Sequence, residues 1–201
     1  MSVYYYEGAQ ILAPLTITSN EPTFDVDTVS LKKQRASQNV QRWELSFNTV
    51  GTADTQIDMF LGAVTDIDEV RTMVMPQLPA VDEAITVLID NPTVGVTASK
   101  DVLQVTLESG ETVGVIPKGT FFKFSNHDKI YVTTSETNLA ETTPVINFFP
   151  RLRADLTTLH TLKLRGDAIL TYYTSIDNMA GITFTDGVLS NAGTIEILEA
   201  L

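Results

Sequence analysis

The stretch from Glu83 to Arg165 breaks into seven short runs: EAITVLID, DVLQVTLES, GETVGVI, GTFFKFS, KIYVTT, PVINFF and HTLKLR. Turn signals such as DNP, SGE, PKG and SNHD separate them. Runs this short cannot make long helices. They are rich in Thr, Val, Ile and Phe, whose branched or aromatic side chains pack well on a pleated surface. Many short strands with frequent turns predict a small barrel or sandwich.

Upstream, RWELSFNTV alternates with period two. Trp43, Leu45 and Phe47 fall on one face and Arg42, Glu44 and Ser46 on the other, which predicts a half-buried strand. The period then changes. In GTADTQIDMFLGAVTDIDEVRTMVMP the apolar residues Ile57, Phe60, Leu61, Val64, Ile67, Val70 and Met73/Val74 recur at helical spacing. This predicts one amphipathic helix packed on the sheet, capped by Thr52 or Asp54 and stopped by Pro76 and Pro79. The PQLP segment and the Arg165–Asp167 RGD turn bracket the strand-dense block. Two domains are therefore expected: one from residues 1–81 and 166–201, the other from 82–165 inserted into it.

Composition removes several chemistries. The chain has no cysteine, which excludes disulfides, thiolate metal sites and a Cys nucleophile. No secretory leader pattern opens it, and no apolar run approaches the ~20 residues of a membrane span. Against 25 Asp and Glu stand 13 Lys and Arg, a formal charge of −12. Duplex binding needs a basic face that displaces counterions, so specific nucleic-acid binding is not expected.

No motif survives as a catalytic signature, and no enzyme activity or cofactor is expected. Gly114–Thr120, GVIPKGT, has the glycine spacing of a phosphate loop, but lacks the Lys after the second glycine and leads into a strand rather than a helix. His127, in the turn sequence SNHD, reads as part of a hairpin joining Phe121–Phe124 to Lys129–Thr134. His160 shares an apolar strand face with Leu162 and Leu164. Asp66–Glu69, DIDE, lacks the pattern of a calcium loop. Asp25 and Asp27 lie two apart on an extended piece and leave a glycosidase pair open.

Two features suggest subunit contacts. Lys32, Lys33 and Arg35 form the densest basic cluster of an acidic chain. They are either a solvated strand edge, where lysines deter unwanted pairing, or a patch facing carboxylates of an identical neighbour. Tyr4, Tyr5 and Tyr6 offer large rings with polar tips, which suits an intra- or intersubunit contact.

In this order the pieces resemble the distal tail proteins of long-tailed bacteriophages, in their two-domain form. RWELSFNTV with its following helix, GTFFKFSNHDKIYVTTS, INFFPRL and GVLSNAGTIEILEAL carry the resemblance. It implies a mainly β fold: a β-sandwich-like domain with one α-helix, interrupted by a small OB-like β-barrel. It also implies a virion protein made in the host cytoplasm. Such a protein forms a hexameric ring at the tail tip, between the tail tube protein and the tip or baseplate hub proteins, and lets DNA pass. The alternative class is a carbohydrate-binding β module of a phage tail or other surface assembly.

Overall fold

The computed structural model describes residues 5, 6, 8–27, 33–37, 40–50, 52, 54–58, 61, 69–77, 96–105, 114–175, 183–185, 188–191 and 193–201. In 23–27, 33–37, 183–185 and 188–191 it describes the backbone course only. The protein is mainly β, with antiparallel strand pairs throughout the described residues and one helical segment at residues 54–58 and 61. It divides into two compact units, Met1–Arg71 with Tyr172–Leu201, and Thr72–Thr171.

In the first unit β1 (Tyr5–Tyr6), β2 (Ala9–Asn20), β5 (Arg42–Val50) and β17 (Thr194–Glu199) follow one another in a sheet, and the Tyr172–Thr174 part of β14 (Ile169–Thr174) pairs with β17; β6 (Arg71–Val74) starts at the last residue of the unit's first segment. The alternation in RWELSFNTV appears as expected. Trp43, Leu45, Phe47 and Thr49 are buried, and the residues between them are half-buried or exposed. Cross-strand register extends this face: Leu45 lies opposite Ile17 and Ile197, and Phe47 opposite Ile195. Tyr6 closes on it, its ring 5.3 Å from that of Phe47 and 5.9 Å from that of Tyr172. β2 carries an irregularity between Leu12 and Thr16, which pair with Asn48 and Ser46. Pro14, with no N–H to give a ladder, sits in that looped-out part.

Three further ribbons complete the described strands of this unit and the next. β3 (Thr23–Asp27) pairs with β4 (Lys33–Ser37), and β15 (Thr183–Thr185) with β16 (Val188–Asn191). In the second unit β8 (Val115–Ile116) pairs with β11 (Thr137–Asn138).

The helix starts where its cap was expected. The Thr52 side-chain oxygen accepts from the Thr55 N–H at 3.3 Å and its carbonyl from the Gln56 N–H at 3.0 Å. Thr52→Ala is expected to lower the stability of the first unit by about 1 kcal/mol, measured by chemical denaturation. At the two described apolar positions of the helix the expected burial is corrected. Ile57 and Leu61 remain 38% and 49% exposed, whereas Gln56 is buried, its Nε2 donating to Thr49 Oγ1 at 3.4 Å. The helical end of the pattern is corrected too, because Met73 and Val74 lie in strand β6. There Arg71–Val74 alternates with Met73 buried and Val74 exposed, and the β-branched Thr72 and Val74 suit a strand. Phe60, Val64 and Ile67 lie outside the described residues.

In the second unit five strands run in the order β13 (Leu162–Leu164), β9 (Phe121–Phe124), β10 (Ile130–Thr133), β12 (Val145–Phe149) and β7 (Val102–Gln104). Leu103, Ile116, Phe122, Phe124, Tyr131, Ile146, Phe148, Leu152 and Leu162 pack into one core. The hairpin read from TFFKFSNHDKIYVTT is present, with Tyr131 opposite Phe122 and Val132 opposite Phe121. The unit begins before PQLP and ends after RGD. Met75 N–H donates to the Ala168 carbonyl at 2.8 Å, and the Gln77 amide bonds both to and from the Phe121 backbone at 3.0 Å. These bonds tie residues 75–77 into the second unit. RGD forms a 3₁₀ turn inside it, with Arg165 at φ 56.

Candidate functional site

The hairpin turn between β9 and β10 holds a connected set of polar side chains. Its strands bring His127 and Tyr131 to the same side, four residues apart across the turn. His127 Nε2 lies 2.7 Å from the Tyr131 hydroxyl and Nδ1 lies 2.6 Å from Asn126 Oδ1. The Tyr131 oxygen also accepts from the Arg153 backbone N–H at 3.0 Å. With that bond accepted, the Tyr131 proton can go to His127 Nε2. The matching tautomer of His127 carries its proton on Nδ1 and donates it to Asn126. In that chain the imidazole is neutral, with Nε2 accepting and Nδ1 donating.

The electrostatics favour the same state. His127 is pulled down from 6.5 to about 4, first by burial, then by Arg153, with smaller contributions from Lys123 and His160. Asp128 acts the other way, but is itself paired with Lys123 Nζ at 2.9 Å. Aromatic rings wall the imidazole, Phe124 at 5.9 Å and Tyr131 at 5.6 Å between centroids. A neutral His with both nitrogens committed is a structural clamp: it fixes the turn and ties β10 to the segment after Pro150. It has no free nitrogen for a metal or a substrate proton.

His160 does not share the strand face of Leu162 and Leu164. It sits in a turn, where its Nδ1 accepts from the Thr157 N–H at 3.0 Å. In GVIPKGT, Gly119 adopts φ 86 and turns β8 toward β9. The Gly119 and Thr120 N–H groups both bond Thr133, through its carbonyl at 2.8 Å and its hydroxyl at 3.0 Å. The donors that a phosphate would need are thus spent on the fold. Among the described residues no group of three His, Asp or Glu converges in a metal-holding arrangement, and no helix is long and apolar enough to cross a membrane.

The six residues expected at a subunit contact divide. Tyr4 and Lys32 lie outside the described residues. Tyr6 is buried in its own unit against Phe47 and Tyr172, while Tyr5, one residue away on β1, is 61% exposed. Lys33 and Arg35 sit on β4, where the register sets Asp27 opposite Lys33 and Asp25 opposite Arg35. The sequence reading did not anticipate this pairing of acid and base across one ribbon. The i,i+2 spacing of both pairs was its signal. Asn126 and Tyr131 were also missed, because their role depends on which side chains a hairpin brings together. Glu199 is buried, and its Oε2 accepts from the Trp43 N–H at 3.1 Å.

No family model matches the chain, and no curated protein matches it at a significant level.

Proposed function

We propose that the chain is a structural protein of a phage tail, forming a ring at its distal end between tube and tip proteins. The observation that carries this reading is the insertion: a compact β unit, Thr72–Thr171, interrupts a mainly β unit built from both ends of the chain. On this reading the first unit is the sandwich-like ring domain and the second an OB-like barrel. The distribution of charge supports it. The first unit holds 14 Asp and Glu against 5 Lys and Arg, a net −9; the second holds 11 against 8, a net −3. The acidity is concentrated in the unit assigned to the ring, where DNA must pass without adhering. Its field reaches roughly a Debye length, about 8 Å at physiological salt, so the carboxylates serve this role only where they line the bore. The single Trp is buried at Trp43 rather than displayed as a sugar-stacking platform.

Six copies carry −72 (6 × −12), so closure needs local attraction. Lys32, Lys33 and Arg35 are assigned to supply it. Reversing all three to Glu is expected to shift the assembly toward monomer, most strongly at low salt, as measured by light scattering. Because Asp25 and Asp27 lie opposite two of these positions, the reversal also sets like charges face to face within the ribbon. Adding Asp25→Lys and Asp27→Lys restores the ribbon without restoring the original sign of each strand. Wild-type assembly by the triple variant would remove the basic cluster from the ring contact, and a wild-type protein that never assembles would overturn the ring itself.

A further inference from the structure

Two elements of the first unit have an edge that no other strand pairs among the described residues. The β3–β4 ribbon stands as a two-stranded sheet, paired with no other strand among the described residues. Such a ribbon is marginal alone in water; a third strand or a covering element completes it. The second element is the far half of β2. β1 pairs with Ala9 and Gln10 only, so among the described residues no strand lies on the outer edge of Leu15–Asn20. Edge strands are ordinarily guarded by charged residues, because bare N–H and C=O rows recruit other strands. β2, AQILAPLTITSN, contains no charged residue along its length. Its proline and irregularity lie before Thr16 and leave Thr16–Asn20 unguarded.

We infer that β4 of one copy adds as a strand to the outer edge of Leu15–Asn20 of a second copy. Charge selects this occupant. Residues 23–37 hold three of the unit's five Lys and Arg against two Asp, a net +1, whereas the rest of the unit is −10. Acid flanks the edge: Glu21 follows Asn20, and Glu44 lies opposite Thr18 with its Oε1 accepting from Asn20 Nδ2 at 2.7 Å. Two copies of an acidic unit repel over most of their surfaces, and the ribbon is a segment that an acidic neighbour attracts. β4, with Lys33 and Arg35, is its more basic strand. Backbone bonds then supply the affinity, as in other strand additions. Ribbon and edge are different surfaces of one chain, so the contact is head-to-tail. Repeated, such contacts close into a ring when the rotation per copy allows it and otherwise run on as a filament.

This inference rests on the ring reading, and the experiment separates them. Amide hydrogen exchange is followed across residues 15–20 in concentrated, assembled protein and in protein diluted to monomer. The expected result is slowing of the outward-facing amides by at least tenfold on assembly. Neighbouring N–H groups on a strand point to opposite sides, so Ile17→Pro and Thr18→Pro together test the edge, whichever of the two amides faces out. One variant loses a bond to β5 and melts earlier. The other melts near wild type but needs at least tenfold more protein to assemble. Assembly with unprotected amides at 15–20 overturns the strand addition and leaves the ring standing. Protection within an open filament supports the addition and overturns the closed ring. A protein that remains monomeric at every concentration overturns both.

Discussion

Phe124→Ala is expected to cost the second unit about 3–5 kcal/mol, more than any other single truncation considered for this protein. Phe124 is fully buried, and its ring lies 5.4 Å from Phe122, 5.2 Å from Tyr131 and 5.9 Å from Phe148. These contacts, and the one with His127, are edge-on or tilted, the arrangement in which aromatic quadrupoles attract. Truncation removes the buried area and opens a cavity that three rigid rings cannot collapse to fill. The same change strips one wall from His127, so its titration should move up toward the ordinary imidazole range. Trp43, the only tryptophan of the chain, lies in the first unit. Its emission should keep its wild-type midpoint while far-ultraviolet circular dichroism shows an earlier loss of strand. A stability loss below 1 kcal/mol would mean that the aromatic cluster is not the keystone of this unit.

The sequence disclosed what period and turn chemistry control. RWELSFNTV could only bury Trp43, Leu45 and Phe47 together, because a strand repeats every two residues. The SNHD turn joined β9 to β10 because Asn and Asp suit tight turns. Thr52 was legible as a cap because its hydroxyl can satisfy an orphan N–H whatever the helix later packs on. The helix face was not legible in the same way. Ile57 and Leu61 have the spacing of a buried stripe, yet Gln56 takes the buried place by bonding Thr49. Hydrophobic spacing marks a face, but a nearby polar partner decides how the helix is rolled. Met73 and Val74 fit two periods at once, and the pairing available at the end of the sheet settled them as strand. His127 showed as a turn residue only. Its clamp needs Tyr131 and the Arg153 backbone, which the sequence separates and the hairpin and core bring together. Lys33 and Arg35 were visible as charge, but their opposition to Asp27 and Asp25 is a matter of register, and register was not readable from composition.

The second unit should lose stability as the pH falls from about 6.5 toward 4, and His127 should account for a defined part of that loss. Folding lowers this group from 6.5 to about 4. Above pH 6.5 it is neutral in both folded and unfolded chains, and the clamp contributes in full. Between the two values the unfolded chain takes up a proton that the folded chain refuses, so stability declines through that window. Below about 4 the folded protein is protonated as well, and the contribution is gone. An unscreened shift of this size would be worth about 3 kcal/mol; the half-buried ring is reached by water, which reduces it to about 1–2 kcal/mol. Carboxylates titrate in the same range, so the comparison is between wild type and His127→Gln. The Gln amide oxygen can accept the Tyr131 proton but does not titrate. Urea unfolding at a series of pH values should give a flatter curve for His127→Gln between 6.5 and 4, with the two proteins converging at the acid end. Tyr131→Phe breaks the same chain from the other side: it leaves His127 Nε2 without its donor and the Arg153 N–H without its acceptor. It should cost about 1–2 kcal/mol at pH 7 and should bring the His127 resonances, followed by nuclear magnetic resonance, to titrate at higher pH. Parallel stability curves for wild type and His127→Gln would mean that the neutral imidazole is not what holds this turn.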